Sequence, residues 1–170
     1  WCGVLADGRF LAALCDGMGH GERAALSSRQ TVELMRLCLD AGYTRAQTLT
    51  AVNGMMLLSG HGERFTTVDL LTIDLWSGQA ALDKLGAAAS RLLRGCSMTE
   101  LTGDALPLGI LEEAKPCHVE YTLHSGDILL LMSDGVADAF RDEADLKHAI
   151  LESLYIQPQR MADALIRQAL

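Results

Sequence analysis

The segments Asp16-Gly17-Met18-Gly19-His20-Gly21 and Ser133-Asp134-Gly135 each set an acidic residue at the end of an apolar run and directly before a glycine. The runs are Phe10 to Cys15 and Ile128 to Met132. A buried strand delivers a carboxylate to the rim of a sheet in this way. The glycine that follows lets the backbone turn sharply and frees the Gly17 carbonyl as a further oxygen donor. Carboxylate, carbonyl and water oxygens suit a hard divalent cation, Mg2+ or Mn2+. Two such ions roughly 3.5–4 Å apart can activate a water for in-line attack on a phosphoryl group. Asp-Gly is also the commonest turn pair, and Asp7-Gly8, between Val4-Leu5 and Phe10, reads as a hairpin turn and nothing more. Spacing alone leaves both readings of Asp16 and Asp134 open.

Other polar residues carry weaker signals. His20 is a candidate general acid, and equally a loop-packing residue. Glu22 favours a helix N-terminus through the dipole. Arg23 beside it either contacts substrate or ties the helix to the sheet. Asp69 and Asp74 read as a solvated strand face or as local hydrogen-bonding groups, and His61, His118, His124 and His148 as surface residues.

The elements that must position these groups follow from periodicity. Glu22 to Ala41 has Ala25, Val32, Met35 and Leu39 at helical spacing, with Gly42 as a stop. Thr44 can cap a second helix, Arg45 to Leu58, and the two helices read as an antiparallel pair whose Met55 and Met56 are core residues. From Thr66 the period changes to two. Phe65–Leu75, Gln79–Leu85, Ser90–Arg94 and Ser97–Leu101 read as strands, and His118–Leu123 with Ile128–Met132 as a hairpin across His124-Ser125-Gly126-Asp127. Glu143–Leu154 and a segment with Pro158 in its first turn read as helices. Sequential antiparallel strands with helices before and after them predict an α+β layered domain.

Composition narrows the function classes. The 170 residues are 49% hydrophobic, which predicts a folded core. The formal charge is −8, from 14 basic and 22 acidic residues. With no Lys/Arg cluster, that balance argues against nucleic acid as a partner. No apolar run approaches the ~18 residues of a membrane span, and no secretory signal pattern is present. The five cysteines (Cys2, Cys15, Cys38, Cys96, Cys117) form no CxxC pair and read as free thiols in a reducing compartment. The chain starts at Trp1 and stops at Leu170 inside a helical pattern, as a piece of a longer protein does.

Cys15-Asp16-Gly17-Met18-Gly19-His20-Gly21-Glu22-Arg23-Ala24 resembles the first signature of the stage II sporulation protein E-like phosphatase domain, in the metal-dependent type 2C serine/threonine phosphatase superfamily. The likeness continues in order through Thr67-Val68-Asp69-Leu70, Ile73-Asp74-Leu75, Lys84-Leu85-Gly86-Ala87-Ala88, Leu106-Pro107-Leu108-Gly109-Ile110, Ser125-Gly126-Asp127 and Met132-Ser133-Asp134-Gly135. The resemblance implies a type 2C-like α/β/β/α sandwich, two stacked antiparallel sheets flanked by helices, with residues 1–170 forming one domain and a helical pair at about 22–58 acting as a switch. It implies Asp16 (bridging), the Gly17 carbonyl and Asp134 as ligands of two Mn2+ or Mg2+ ions. It also implies phosphoserine hydrolysis by metal-activated water, on a phosphorylated anti-anti-sigma protein. The location implied is the cytoplasm, or the cytoplasmic side of a membrane-anchored parent.

Three departures stand out. The family's acidic residue upstream of the first Asp-Gly, and its acidic pair on a final strand, have no counterpart in these residues. The terminal strands are therefore expected to be missing, which predicts a nearly inactive piece with open sheet edges prone to self-association. The family's Gly-Ala-Ala-Pro reads Gly86-Ala87-Ala88-Ala89. Two other classes compete. A histidine-kinase-like ATPase needs glycines two and four residues after the Asp, whereas here they follow Asp16 by one, three and five. A non-catalytic interaction module of the same fold is the other.

Overall fold

Alternation along Phe10–Gly17 (β2) builds the middle of the molecule: Leu11, Ala13 and Cys15 pack toward helices, while Ala12 packs toward a second sheet. The computed structural model describes residues 1–17, 19, 21–58, 65–153 and 157–169, without the side chain of Arg23. Cys2–Val4 (β1) pairs with β2 across the turn at Gly8. Glu22–Asp40 (α1) and Arg45–Leu58 (α2) follow, then Thr66–Ile73 (β3) and Gln79–Leu85 (β4). Ser90–Arg94 (β5) and Ser97–Leu101 (β6) form a hairpin, and Cys117–Thr122 (β7) and Ile128–Leu130 (β8) complete the strands. The chain then runs through Asp134–Ala137 (α3), Glu143–Glu152 (α4) and Pro158–Ala169 (α5). One antiparallel sheet has the order β1-β2-β3-β4-β7, and the other β6-β5-β8.

Three apolar layers hold the sheets and helices together. Met35, Leu39, Leu49 and Val52 of the α1–α2 pair pack on Leu11, Val68, Leu70 and Leu85 of the larger sheet. Leu71, Ala80 and Leu82 meet Leu129 and Leu131 between the sheets. Leu93 and Met132 pack under Leu146, Ile150, Met161 and Leu165 of α4 and α5. The result is the anticipated helix/sheet/sheet/helix sandwich of two antiparallel sheets.

Local chemistry explains the ends. Thr44 and Gln47 form a reciprocal capping box at α2: Gln47 N–H donates to Thr44 Oγ1 at 3.2 Å, and Thr44 N–H donates to Gln47 Oε1 at 2.9 Å. Gly86 has φ +64°, and a Cβ there would meet Pro107 Cγ at 2.4 Å, so only glycine fits.

Four expectations need correction. Strands β7 and β8 form no hairpin: β7 pairs with β4 in one sheet and β8 with β5 in the other. The His124–Asp127 turn instead carries the chain between layers. Asp127 there accepts from His124 N–H and from Arg94, while Arg94 also donates to the Thr122 carbonyl. Ala25 is exposed, because the core stripe of α1 runs through Thr31, Met35 and Leu39. Met55 is 54% exposed, whereas Met56 packs on the core. Asp69 is no solvated residue. It is 0% exposed, as is its partner Lys84, whose Nζ lies 2.6 Å from Asp69 Oδ1. Burial pushes the Asp69 carboxyl up, against the downward pull of its bonds from Lys84 and Ser90.

Arg45 bolts α2 to the larger sheet through Asp83 at 2.9 Å and Thr72 at 2.8 Å. His118 shares Asp83 at 2.6 Å and reaches Glu120 at 3.1 Å. Asp83, then Glu120, raise the His118 pKa above its ordinary 6.5, although burial and Arg45 oppose them. That stabilisation is complete below 6.5 and disappears as pH rises through the raised value. His118→Gln should flatten this decline, as read by urea denaturation at pH values on both sides of the window. Lys84→Met should cost about 3–5 kcal/mol, because it strands a buried carboxylate. Thermal and chemical unfolding check that magnitude.

Candidate metal centre

Strand β2 runs two residues beyond the expected Cys15 and takes in both Asp16 and Gly17. Asp16 pairs with Thr67 and Gly17 with Thr66 at the last rungs of the β2–β3 ladder. Asp16 is half-buried there, and Thr67 Oγ1 lies 3.4 Å from its carbonyl oxygen. Asp134 arrives from the other sheet. It follows β8 and opens α3, and its Oδ1 accepts from the Gly135 N–H at 2.7 Å, which fixes the carboxylate's orientation. The Asp134 carboxyl lies near enough to that of Asp16 to perturb it. Burial raises the Asp16 pKa above its ordinary 3.8, and the charge and proton-sharing of Asp134 push it the same way.

Glycine is needed at position 17 for a different reason than a turn. Gly17 is a strand residue, and a Cβ on it would lie 2.8 Å from the Ala24 carbonyl and 3.0 Å from Ser28 Oγ. The positive φ values belong to Gly19 and Gly21. This close approach lets Gly17 N–H donate to Ser28 Oγ at 2.8 Å, while Ser28 donates on to Ala24 O at 3.0 Å. Ser28 therefore joins α1 to the acidic strand end, a role that a serine at mid-helix does not announce in sequence. Asn53 of α2, 1% exposed, is a second such residue: it donates to the Leu111 and Glu112 carbonyls and accepts from Gly109 N–H.

The remaining candidates separate from the pair. Glu22 is exposed in the first turn of α1. His20 and the Arg23 side chain lie outside the described residues. Cys15, next to Asp16, faces the helix-side core, where burial pushes its thiol up to about 12 and keeps it protonated. Among the described residues no group of three or more His, Cys, Asp or Glu side chains gathers to hold a metal.

The family model for stage II sporulation protein E (SpoIIE) matches residues 6–170. The chain belongs to the SpoIIE family. The SpoIIE of Priestia megaterium is 31% identical over 170 residues, covering 98% of this chain and 29% of that protein. A structure of the PP2C phosphatase domain and a fragment of the regulatory domain of Bacillus subtilis SpoIIE superposes with a TM-score of 0.85. That match has 29% identity and covers 99% of this chain and 52% of that one. The serine/threonine phosphatase of S. agalactiae shares the fold, with a TM-score of 0.82 at 17% identity over 99% of this chain and 84% of that one. The chain thus spans between 21% and 29% of the length of the curated SpoIIE relatives.

The two facing carboxylates make a metal-free pH prediction. Asp16 contributes its stability fully below 3.8 and loses it as pH rises through the raised folded value, where two anions face each other. Asp16→Asn removes that repulsion. The melting temperature of the metal-free variant should exceed wild type by a margin that grows from mildly acidic to neutral pH. Millimolar Mn2+ should raise the melting temperature of wild type and leave the variant unmoved. Differential scanning fluorimetry with and without chelator reads both effects.

Proposed function

We propose that residues 1–170 form a serine/threonine protein phosphatase domain that depends on Mn2+ or Mg2+ and acts on phosphoserine. The observation that carries this reading is the meeting of Asp16 and Asp134 across two sheets, in a chain of the SpoIIE family. Two neighbouring carboxylates, with one of them raised by burial and by the other, form a site short of positive charge, and their all-oxygen chemistry fits a hard cation. Asp16, the Gly17 carbonyl and Asp134 would hold it. A divalent cation, when bound, supplies the charge that makes water nucleophilic near neutral pH and offsets charge on the phosphoryl oxygens.

The protein's own residues position and exclude. The Gly135 N–H aims Asp134, the Ser28 bond holds Gly17 in place, and the protonated Cys15 thiol offers no competing nucleophile. Glu22, Arg23 and the rest of the 22–58 helical pair are assigned a switch or substrate-contact role: the Ser28 bond makes any rotation of α1 felt at Gly17. His20 is given no step.

The substrate proposed is a phosphorylated anti-anti-sigma-type protein. The motif resemblance supports it, as does a Mycobacterium tuberculosis protein of the same fold that carries RsbU and RsbW domains together (TM-score 0.78, 24% identity, covering 99% of this chain and 51% of that one). No helix among the described residues is long and apolar enough to cross a membrane. Action in the cytoplasm, or on the cytoplasmic side of a membrane-anchored parent, accords with that substrate.

One observation favours a second reading, a non-catalytic interaction module: no third acidic or imidazole ligand joins the pair among the described residues. A two-carboxylate site holds its cation weakly, so the 170-residue chain should turn over slowly. The deciding assay is hydrolysis of p-nitrophenyl phosphate and of a phosphoserine protein in millimolar Mn2+. Slow, chelator-sensitive turnover is expected, lowered at least about a hundredfold by Asp16→Asn or Asp134→Asn. Turnover that survives chelator or Asp16→Asn would refute the metal-dependent reading. Absence of turnover with wild-type folding would favour the interaction module.

A further inference from the structure

Among the described residues two polar links cross between the sheets, and both start on β5. At one end Ser90 Oγ donates to Asp69 Oδ2 at 3.1 Å and accepts from Lys84 Nζ at 2.9 Å. Lys84 Nζ also donates to Asp69 Oδ1 at 2.6 Å and to the Ala88 carbonyl at 2.7 Å. All three ammonium protons are therefore placed. At the other end Arg94 donates to Asp127 and to the Thr122 carbonyl of β7. The two links differ in their surroundings. Asp69, Lys84 and Ser90 are each 0% exposed, whereas the Arg94 side chain is 47% exposed.

The sealed link lies next to the acidic pair on both sheets. In the larger sheet Asp16 is opposite Thr67, and Asp69 is the next residue on that same face of β3. In the smaller sheet Arg91 is opposite Leu130, so Ser90 sits beside the end of β8 from which the chain continues to Asp134. The ion pair itself joins β3 to β4 within the larger sheet, and Ser90 is the residue of the smaller sheet that it holds; apolar residues of similar volume would pack there as stably. What the charged link adds is direction. Apolar contact tolerates sliding between sheets, whereas an ammonium with three fixed acceptors does not.

We propose that Lys84 is a positioning residue. Through Asp69 and Ser90 it sets the offset between the two sheets that holds Asp134 against Asp16. The part of the proposal that concerns cation affinity rests on the phosphatase reading above; the part that concerns sheet offset does not.

The test compares wild type with the double variant Asp69→Leu/Lys84→Met, which removes both charges, and with Ser90→Ala, which removes only the link to the smaller sheet. Three measurements are made on the 170-residue protein: thermal melting, metal-free hydrogen exchange, and Mn2+ affinity by electron paramagnetic resonance. The double variant should melt near wild type. Its amides at Asp134–Ala137 should nevertheless exchange at least about tenfold faster, with α1 unchanged. Its Mn2+ affinity should fall about 10–100-fold. Ser90→Ala should move exchange and affinity in the same direction by a smaller factor.

A merely structural ion pair predicts the opposite pattern, in which restored melting brings back wild-type exchange and affinity together. Wild-type exchange at Asp134–Ala137 in a folded double variant, or in Ser90→Ala, would overturn the proposal. Should the double variant fail to fold, Ser90→Ala decides alone. If wild type takes up no Mn2+ while the exchange difference is present, the positioning role stands and the cation reading falls.

Discussion

A carboxylate at the end of one sheet can face a carboxylate on another sheet only while the two sheets keep a fixed offset. Everything proposed for this protein depends on that constraint. The larger sheet carries Asp16 near the end of β2, where the ladder with β3 runs on to Gly17 while β1 pairs only with Phe10, Leu11 and Ala12. The smaller sheet delivers Asp134 just beyond β8, a strand of only three residues paired on one side. The first carboxylate is placed by its β3 partner, and the second inherits its position from β5 and from the packing of Met132 beneath α4 and α5. The sandwich is well suited to this arrangement. Its apolar interior brings the sheets together without specifying their offset, and a few buried polar contacts can then specify it.

The helices on the far side add a second dependency. The α1–α2 pair touches the acidic strand end through Ser28, the interior strand β4 through Arg45 and Asp83, and the 102–116 loop through Asn53. These are polar attachments spaced along an otherwise apolar contact. Each has a defined geometry that is made or lost as a unit, which suits the switch role proposed for the pair.

Much of this was legible in the residues. The limits of β4 and α2, the Thr44 cap and the turn at Gly8 follow from local chemistry, because the groups that decide them are neighbours in sequence. The pairing of β7 with β4 rather than β8 was not legible. A four-residue turn containing glycine has the same composition whether the next strand folds back or crosses to another layer, and here β7 and β8 take partners, β4 and β5, that are distant in sequence. Asp69 departs from the solvated reading, while keeping a hydrogen-bonding role, for a similar reason. An acidic residue in a strand is normally solvated, and only the register that sets Lys84 opposite it makes burial affordable. Within the site, Asp16 and Asp134 stood out because glycine follows each, yet at Gly17 the glycine is required by helix proximity, which depends on Ser28 and Ala24 arriving from α1.

Strand β5 sets a rule about length. Ser90 and Arg94 stand at its two ends on the same face, with Leu93 turned to the opposite side under α4 and α5. Side chains alternate along a strand, so a single-residue insertion or deletion between them would turn one end of the strand inside out. Changes of two residues preserve the facing but alter the span. Among natural relatives this strand should therefore tolerate substitution far more readily than any change in length, and its size behaves as a ruler for the spacing of the sandwich.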